Sequence, residues 1–353
     1  MRATEAPSDR VRATETHGRT RKKRFATIVL TVALAGAASV PASAYLKLGT
    51  RVGTRTVTLK WSQMPIRYYV TDRGTTGVTS TQLHQAVSRS FSSWEAVPSA
   101  ITSSEFAGFT LANPSPGDGA TVIGFQNRPE LDRTLGATSF MVDTTTGAIL
   151  EADIFFNSAF PWSVAAQGEA NTFDLESIAL HEIGHLHGLA HSALGETELR
   201  SGGRRVIAAE AVMFPIAYAT GNISGRTLKA DDIAGIGDIY PAASFTRDTG
   251  SISGKVTKGG KGVLGAHVVA FDMRTKTLVG GFSLSDDGSF VIAGLDPGPH
   301  IVRVEPLDDG DVESFFDLTL DIDINFRPQF YVKIVVVPRG GGTSGVELKV
   351  VAK

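Results

Sequence analysis

The run from His181 to His191 reads H-E-x-x-H-x-x-G-x-x-H and holds four of the chain's 8 histidines. His181 and His185 stand four apart. On a helix that spacing puts both imidazoles on one face, one turn apart, within reach of one metal ion. Glu182, the next residue round, can lie beside such a metal without ligating it and act as a general base. Gly188 falls where the helix must stop, and a positive φ ends a helix cheaply only without a Cβ. The chain then turns back, and His191 becomes the third ligand. Three neutral imidazoles leave a fourth tetrahedral position for water, the arrangement of zinc-assisted peptide hydrolysis. Five fixed positions coincide by chance on the order of once in 10⁵ chains of this length. His187 is rotated off the ligand face and reads as a polar neighbour, not a ligand.

The elements that must position these residues are also legible. Asn171 or Thr172 is placed to cap the motif helix, and Asp174 and Glu176 suit its positive end. Phe173, Leu175, Ile178, Ala179, Leu180, Ile183 and Leu186 lie on most of its sides, which predicts a buried central helix. Upstream, Thr79 or Ser80 begins a helix to about Trp94, with Leu83, Ala86, Val87, Phe91 and Trp94 as its apolar stripe. His84 sits one residue off that stripe and is expected to be exposed. Strands are expected over 106–110, 121–126, 138–143 and 149–156, the last two joined by a turn at 143–147. The polar, glycine-containing segment 192–209 reads as a loop, and Arg204-Arg205 as a solvated surface pair.

The ends bound the setting. Arg19, Arg21, Lys22, Lys23 and Arg24 precede an apolar stretch over 25–38, too short for a confident membrane span, and Ala42-Ser43-Ala44 has the form of a cleavage site. Residues 1–44 therefore read as a signal peptide, which predicts a secreted, extracellular protein with no stable membrane insertion after cleavage. Without them, 26 of the 34 Lys/Arg and 33 of the 36 Asp/Glu remain, a formal charge of −7. That balance argues against nucleic acid as a partner. The chain has no cysteine, so a disulfide framework and a thiol that blocks the metal are both excluded.

At 353 residues about two domains are expected. After a short linker at 243–250 the pattern changes. Short β segments at 251–257, 267–272, 278–284, 290–293, 300–305, 329–337 and 346–351, separated by glycine-rich turns, predict a β-sandwich over 251–353. Its His267 and His300 are too isolated to suggest metal.

The motif resembles that of the metzincin metallopeptidases, and further residues narrow the resemblance to the matrixin branch. Ala211-Val212-Met213-Phe214-Pro215 is similar to the family's Met-turn. Ser192 directly follows the third histidine, and no tyrosine lies two residues after Met213. Residues 228–236 resemble the last matrixin helix, and Trp61 with residues 66–70 the first strand. The resemblance implies an α+β metzincin catalytic domain over 45–242, a twisted mixed sheet with three helices. It implies one catalytic Zn2+ on His181, His185 and His191, Glu182 as the catalytic base, and protein or peptide substrates. Residues 215–218 would wall the pocket for the side chain after the scissile bond, and 137–142 would offer a sheet edge to extended substrate. Phe155 stands where the family's structural zinc has a histidine, which argues against that second zinc. Asn157 replaces an acidic residue of a calcium site and leaves calcium open. The C-terminal part resembles the carboxypeptidase regulatory-like, transthyretin-like β-sandwich through Gly254-Lys255-Val256, Asp287-Gly288-Ser289-Phe290 and Gly294-Leu295-Asp296-Pro297-Gly298. The expected function is that of a secreted zinc endopeptidase. The competing reading is an extracellular binding or adhesion protein with a vestigial metzincin domain.

Overall fold

The computed structural model describes residues 29–34, 47–52, 55–201, 203–316 and 320–353. The basic stretch and the Ala42-Ser43-Ala44 segment, read in sequence as a leader and its cleavage site, lie outside these residues. The first half contains β1 (Val29–Leu34), β2 (Gly49–Val52), β3 (Arg55–Thr58), β4 (Lys60–Trp61), β5 (Ile66–Thr71), α1 (Ser80–Glu95), β6 (Ser104–Thr110), β7 (Thr121–Gln126), β8 (Thr134–Val142) and β9 (Ala148–Asn157). β2 and β3 form a separate hairpin. The main sheet has the order β1-β8-β9-β7-β5-β6, with β4 also on β9. Its pairings are parallel except β8 with β9. β1, from inside the segment read as leader, lies along the outer edge of β8.

α1 starts at Thr79, whose side chain accepts from the Gln82 backbone while Gln82 reaches back to the cap. The expected stripe is buried, and the Trp94 indole donates to the Leu180 carbonyl at 2.9 Å, tying α1 to the motif helix. His84 differs from expectation. It is half-buried and stacks on Phe106 with ring centroids 3.8 Å apart, because the aromatic surface of β6 reaches the edge of the stripe.

Next come β10 (Trp162–Ser163), β11 (Phe173–Asp174) and α2 (Leu175–Leu186), the motif helix. The expected loop over 192–209 instead contains the antiparallel hairpin β12 (Gly195–Arg200) and β13 (Gly203–Ala209). Its charged, polar composition hides the strand signal. One side is anchored by Val206, which clusters with Phe214 and Ile216. α3 (Ala230–Ile239) follows, and the segment read as a linker carries a short helix, α4 (Ala243–Asp248).

The C-terminal half is all β: β14 (Gly250–Lys258), β15 (Lys261–Gly262), β16 (His267–Asp272), β17 (Leu278–Phe282), β18 (Ser289–Leu295), β19 (Gly298–Glu305), β20 (Gln329–Phe330), β21 (Val335–Val337) and β22 (Gly342–Val350). One sheet runs β15-β14-β18, with β22 parallel to β14. The other runs β17-β16-β19, with β20 and β21 on different parts of β19. The single strand expected over 329–337 is thus broken by a bend at 332–333.

The two halves do not meet as loosely linked beads. One buried apolar cluster includes residues of both, and α3 packs against β17 and β18. Gly294, at φ 72°, allows this approach: a Cβ there would lie 2.7 Å from the Ala234 Cβ. Phe245 of α4 fills the notch over Gly237 in the same way. Among the described residues, no helix is long and apolar enough to cross a membrane.

Candidate metal centre

α2 begins at Asp174, not at the expected Asn171 or Thr172. The Asp174 carboxylate accepts the Ser177 backbone N–H at 2.9 Å and is paired with Arg226, which raises the guanidinium pKa. A charged cap suits the positive end of the helix dipole. Every α2 residue from Ile178 to Leu186 is buried. Mid-helix Gly184 makes room for the Met-turn, since a Cβ there would sit 2.3 Å from the Met213 sulfur. Gly188 ends the helix at φ 100°, and a Cβ would meet the Leu59 carbonyl oxygen at 2.2 Å.

The turn after Gly188 brings His191 back to the helix. The ligand nitrogens of His181, His185 and His191 all lie within 4.8 Å of one another. Each ring's Nδ1 faces a carbonyl: Val212 for His181 at 2.7 Å, Leu189 for His185 at 2.8 Å and Ser314 for His191 at 2.6 Å. With Nδ1–H donating, each Nε2 presents a lone pair. All three Nε2 atoms are buried without a hydrogen-bond partner. Burial pushes His181 down to about 3 and His191 to about 4, and holds His185 well below its ordinary value. Neutral imidazoles, oriented by carbonyls and with convergent free lone pairs, fit a tetrahedral zinc site.

Glu182 is fully buried next to the triad. Its Oε2 accepts from the Thr138 hydroxyl at 2.7 Å, while Oε1 has no partner. Gly136 leaves the space for it, because a Cβ there would be 3.1 Å from Oε1. Burial raises its carboxyl to about 8, a shift that a neighbouring divalent cation opposes. β8 therefore holds the Glu182 carboxylate as well as bordering the site.

The Met-turn is fixed from below. Asp232 of α3 accepts the backbone N–H groups of Val212 at 2.8 Å, Met213 at 3.1 Å and Lys229 at 2.8 Å. The Met213 carbonyl takes the Ser192 N–H at 2.9 Å. Beside His181 opens an apolar pocket lined by Phe173, Ile178, Phe214, Ile216 and Tyr218. Of residues 215–218, Ile216, Ala217 and Tyr218 line this pocket and Pro215 does not.

His187 is off the triad, as expected. It is buried among Phe91, Trp94 and Tyr240, with Nδ1 on the Ile183 carbonyl. Arg204 is not part of a solvated pair. It donates to the Asp308 carbonyl at 2.7 Å, whereas Arg205 pairs with Glu198. Phe155 lies under the Arg128 guanidinium, 5.6 Å from the ring centre. The Asn157 amide donates to the carbonyls of Arg128, Leu131 and Thr134 at 2.8–3.1 Å. The sequence did not give the orienting roles of Thr138, Asp232 and Ser314, because each acts on a group well separated along the chain.

A buried helix carrying two histidines, a reversal that brings His191 back to them and the Met213 turn beneath, beside a mixed sheet, form an α+β domain of the metallopeptidase type. The family model described as Matrixin matches residues 60–241, half of the chain, and the chain belongs to the matrixin family. Human Matrix metalloproteinase-20 is 26% identical over 191 residues, 51% of this chain and 32% of that protein. The chain thus spans about a third of that relative's length. Among solved structures, the Bacillus anthracis TIE protein is 20% identical, covering 30% of this chain and 17% of that one at a TM-score of 0.21.

Proposed function

We propose that this chain is a secreted zinc endopeptidase, with His181, His185 and His191 as metal ligands and Glu182 as general base. The observation that carries this reading is the convergence of three buried, unpartnered Nε2 atoms beside the unpartnered Oε1 of Glu182. When bound, zinc supplies a Lewis acid and draws the pKa of a coordinated water towards about 7. The protein's own part is orientation and proton transfer. Carbonyls hold each imidazole in the Nδ1–H tautomer. Thr138 pins Oε2, so Oε1 is the atom that takes a proton from the attacking water and returns it to the leaving amine. The pocket beside His181 receives an apolar side chain, and residues 137–142 of β8 offer backbone groups to an extended peptide.

On this reading residues 1–44 are a leader removed after Ala44. Because β1 lies on the edge of β8, that cleavage also frees the edge for substrate. Residues 45–242 form the catalytic domain and 251–353 a carboxypeptidase regulatory-like sandwich. Calcium stays open, since Asn157 stands for an acidic residue and its amide donates to the carbonyls of Arg128, Leu131 and Thr134, while Phe155 stands where one ligand of the structural zinc would be. One catalytic zinc is the zinc content expected.

The test is Glu182→Ala. Zinc content should stay near one per chain while cleavage of casein or gelatin falls by about 10²–10⁴-fold. Retained turnover would sink the mechanism, and a wild-type protein that loads zinc but cuts nothing would favour the adhesion reading.

A further inference from the structure

Two of the three metal-facing histidines are oriented by carbonyls close at hand in the catalytic half. The third is not. His191 lies beyond Gly188, outside the helix that fixes His181 and His185, and its Nδ1–H donates to the carbonyl of Ser314 at 2.6 Å. Ser314 belongs to the connection between β19 and β20 of the C-terminal sandwich, 123 residues further along the chain. We propose that this connection is a working part of the metal centre, and that Ser314 is a positioning residue for His191 supplied by the second half.

Several contacts hold the connection in place. Asp309 accepts the Thr197 backbone N–H at 2.6 Å through its side chain and the Thr197 hydroxyl at 2.9 Å through its carbonyl. Arg204 donates to the Asp308 carbonyl at 2.7 Å. Both partners are on the β12–β13 hairpin, so the hairpin that sequence reads as a loop serves as the latch. Phe315 sets its ring edge-on to His191, with centroids 6.5 Å apart, and Phe316 is buried with Phe282, Leu284 and Leu307. A second link reaches the next residue. Asp231 of α3, fully buried, contacts the Ser192 side chain and accepts the Gly280 N–H of β17 at 2.8 Å. The His191–Ser192 segment is therefore bound to the sandwich at two points.

A ligand's outer partner fixes its tautomer and ring plane, and losing such a partner typically weakens metal binding about 10–100-fold. Without Ser314, His191 would depend on its own rotamer, since no helix constrains it.

The proposal rests on the reading of His191 as a ligand, and the experiment separates the two. In the full chain, residues 309–315 are replaced by two glycines, and zinc affinity is measured by chelator competition, with the visible spectrum of the cobalt-substituted protein as a second readout. Affinity should fall about 10–100-fold and the cobalt bands should shift or lose intensity. His191→Ala should weaken zinc further, and Asp287→Ala, on a distant exposed turn of the sandwich, should change neither readout. If His191→Ala leaves affinity intact, the ligand reading fails. If His191→Ala weakens zinc but the glycine replacement stays within twofold of wild type with an unaltered cobalt spectrum, the proposal is overturned. Should the replacement fail to fold by near-UV circular dichroism, the double variant Asp309→Ala/Arg204→Ala decides by the same criteria.

Discussion

Buried histidines occur in both halves, and they behave differently. In the sandwich, His267 sits 3.1 Å from Glu305, and His300 turns its Nδ1 to the Gly298 carbonyl with Asp272 nearby. Each answers to its own neighbours. In the N-terminal half, three histidines turn their Nδ1 atoms outward to carbonyls and their Nε2 atoms towards one point. Burial is common to both sets, and so is an unpartnered nitrogen, since His187 and His267 each have one. What distinguishes the metal centre is convergence. It is achieved by one helical turn for His181 and His185, and by a glycine-terminated reversal for His191.

The contrast can be broken where the reversal depends on a single atom's absence. Gly188→Ala puts a Cβ at φ 100° and 2.2 Å from a backbone oxygen, so Leu59 or the turn must move. We expect a loss of roughly 2 kcal/mol or more in urea unfolding, with zinc stoichiometry falling as His191 leaves the triad. Unchanged stability and zinc content would show that the reversal does not need this conformation. A smaller effect is expected from Thr138→Val, which keeps the shape but removes the donor to Glu182. Zinc should stay bound while kcat/KM for a peptide falls about tenfold, the scale of one hydrogen bond to a charged group. A full loss of zinc would mean that Thr138 shapes the ligands and not the base. The smallest effect sharpens the other side. His300→Asn should leave zinc affinity and cleavage rate within about twofold of wild type, because its ring answers to the Gly298 carbonyl and Asp272 in the sandwich.

Much of the N-terminal half could be read along the chain. The stripe of α1, the buried α2, the strand pair β8–β9 and the proposed ligand set all depend on spacings of two to eleven residues, where helix and strand periods act directly. Other features could not. The β12–β13 hairpin is written in charged residues, and its stability comes from pairing and from Val206 on Phe214 and Ile216. α4 stood inside an expected linker, because its anchor, Phe245 on Gly237, lies in a different element. His84 was expected at the surface because the strand that stacks on it begins twenty residues later.

By itself the sequence determined the proposed ligands and base, the helix that carries His181, Glu182 and His185 and the residue that ends it, since local geometry converts those spacings into one face and one turn. Only the tertiary structure decided what holds each group in its working orientation: Thr138 on Glu182, Asp232 under the Met-turn and Ser314 on His191. These are hydrogen bonds between groups up to 123 residues apart. Two of the three orienting groups are side chains whose partners lie far along the chain, and the third is a backbone carbonyl, which has no residue type for a motif to announce.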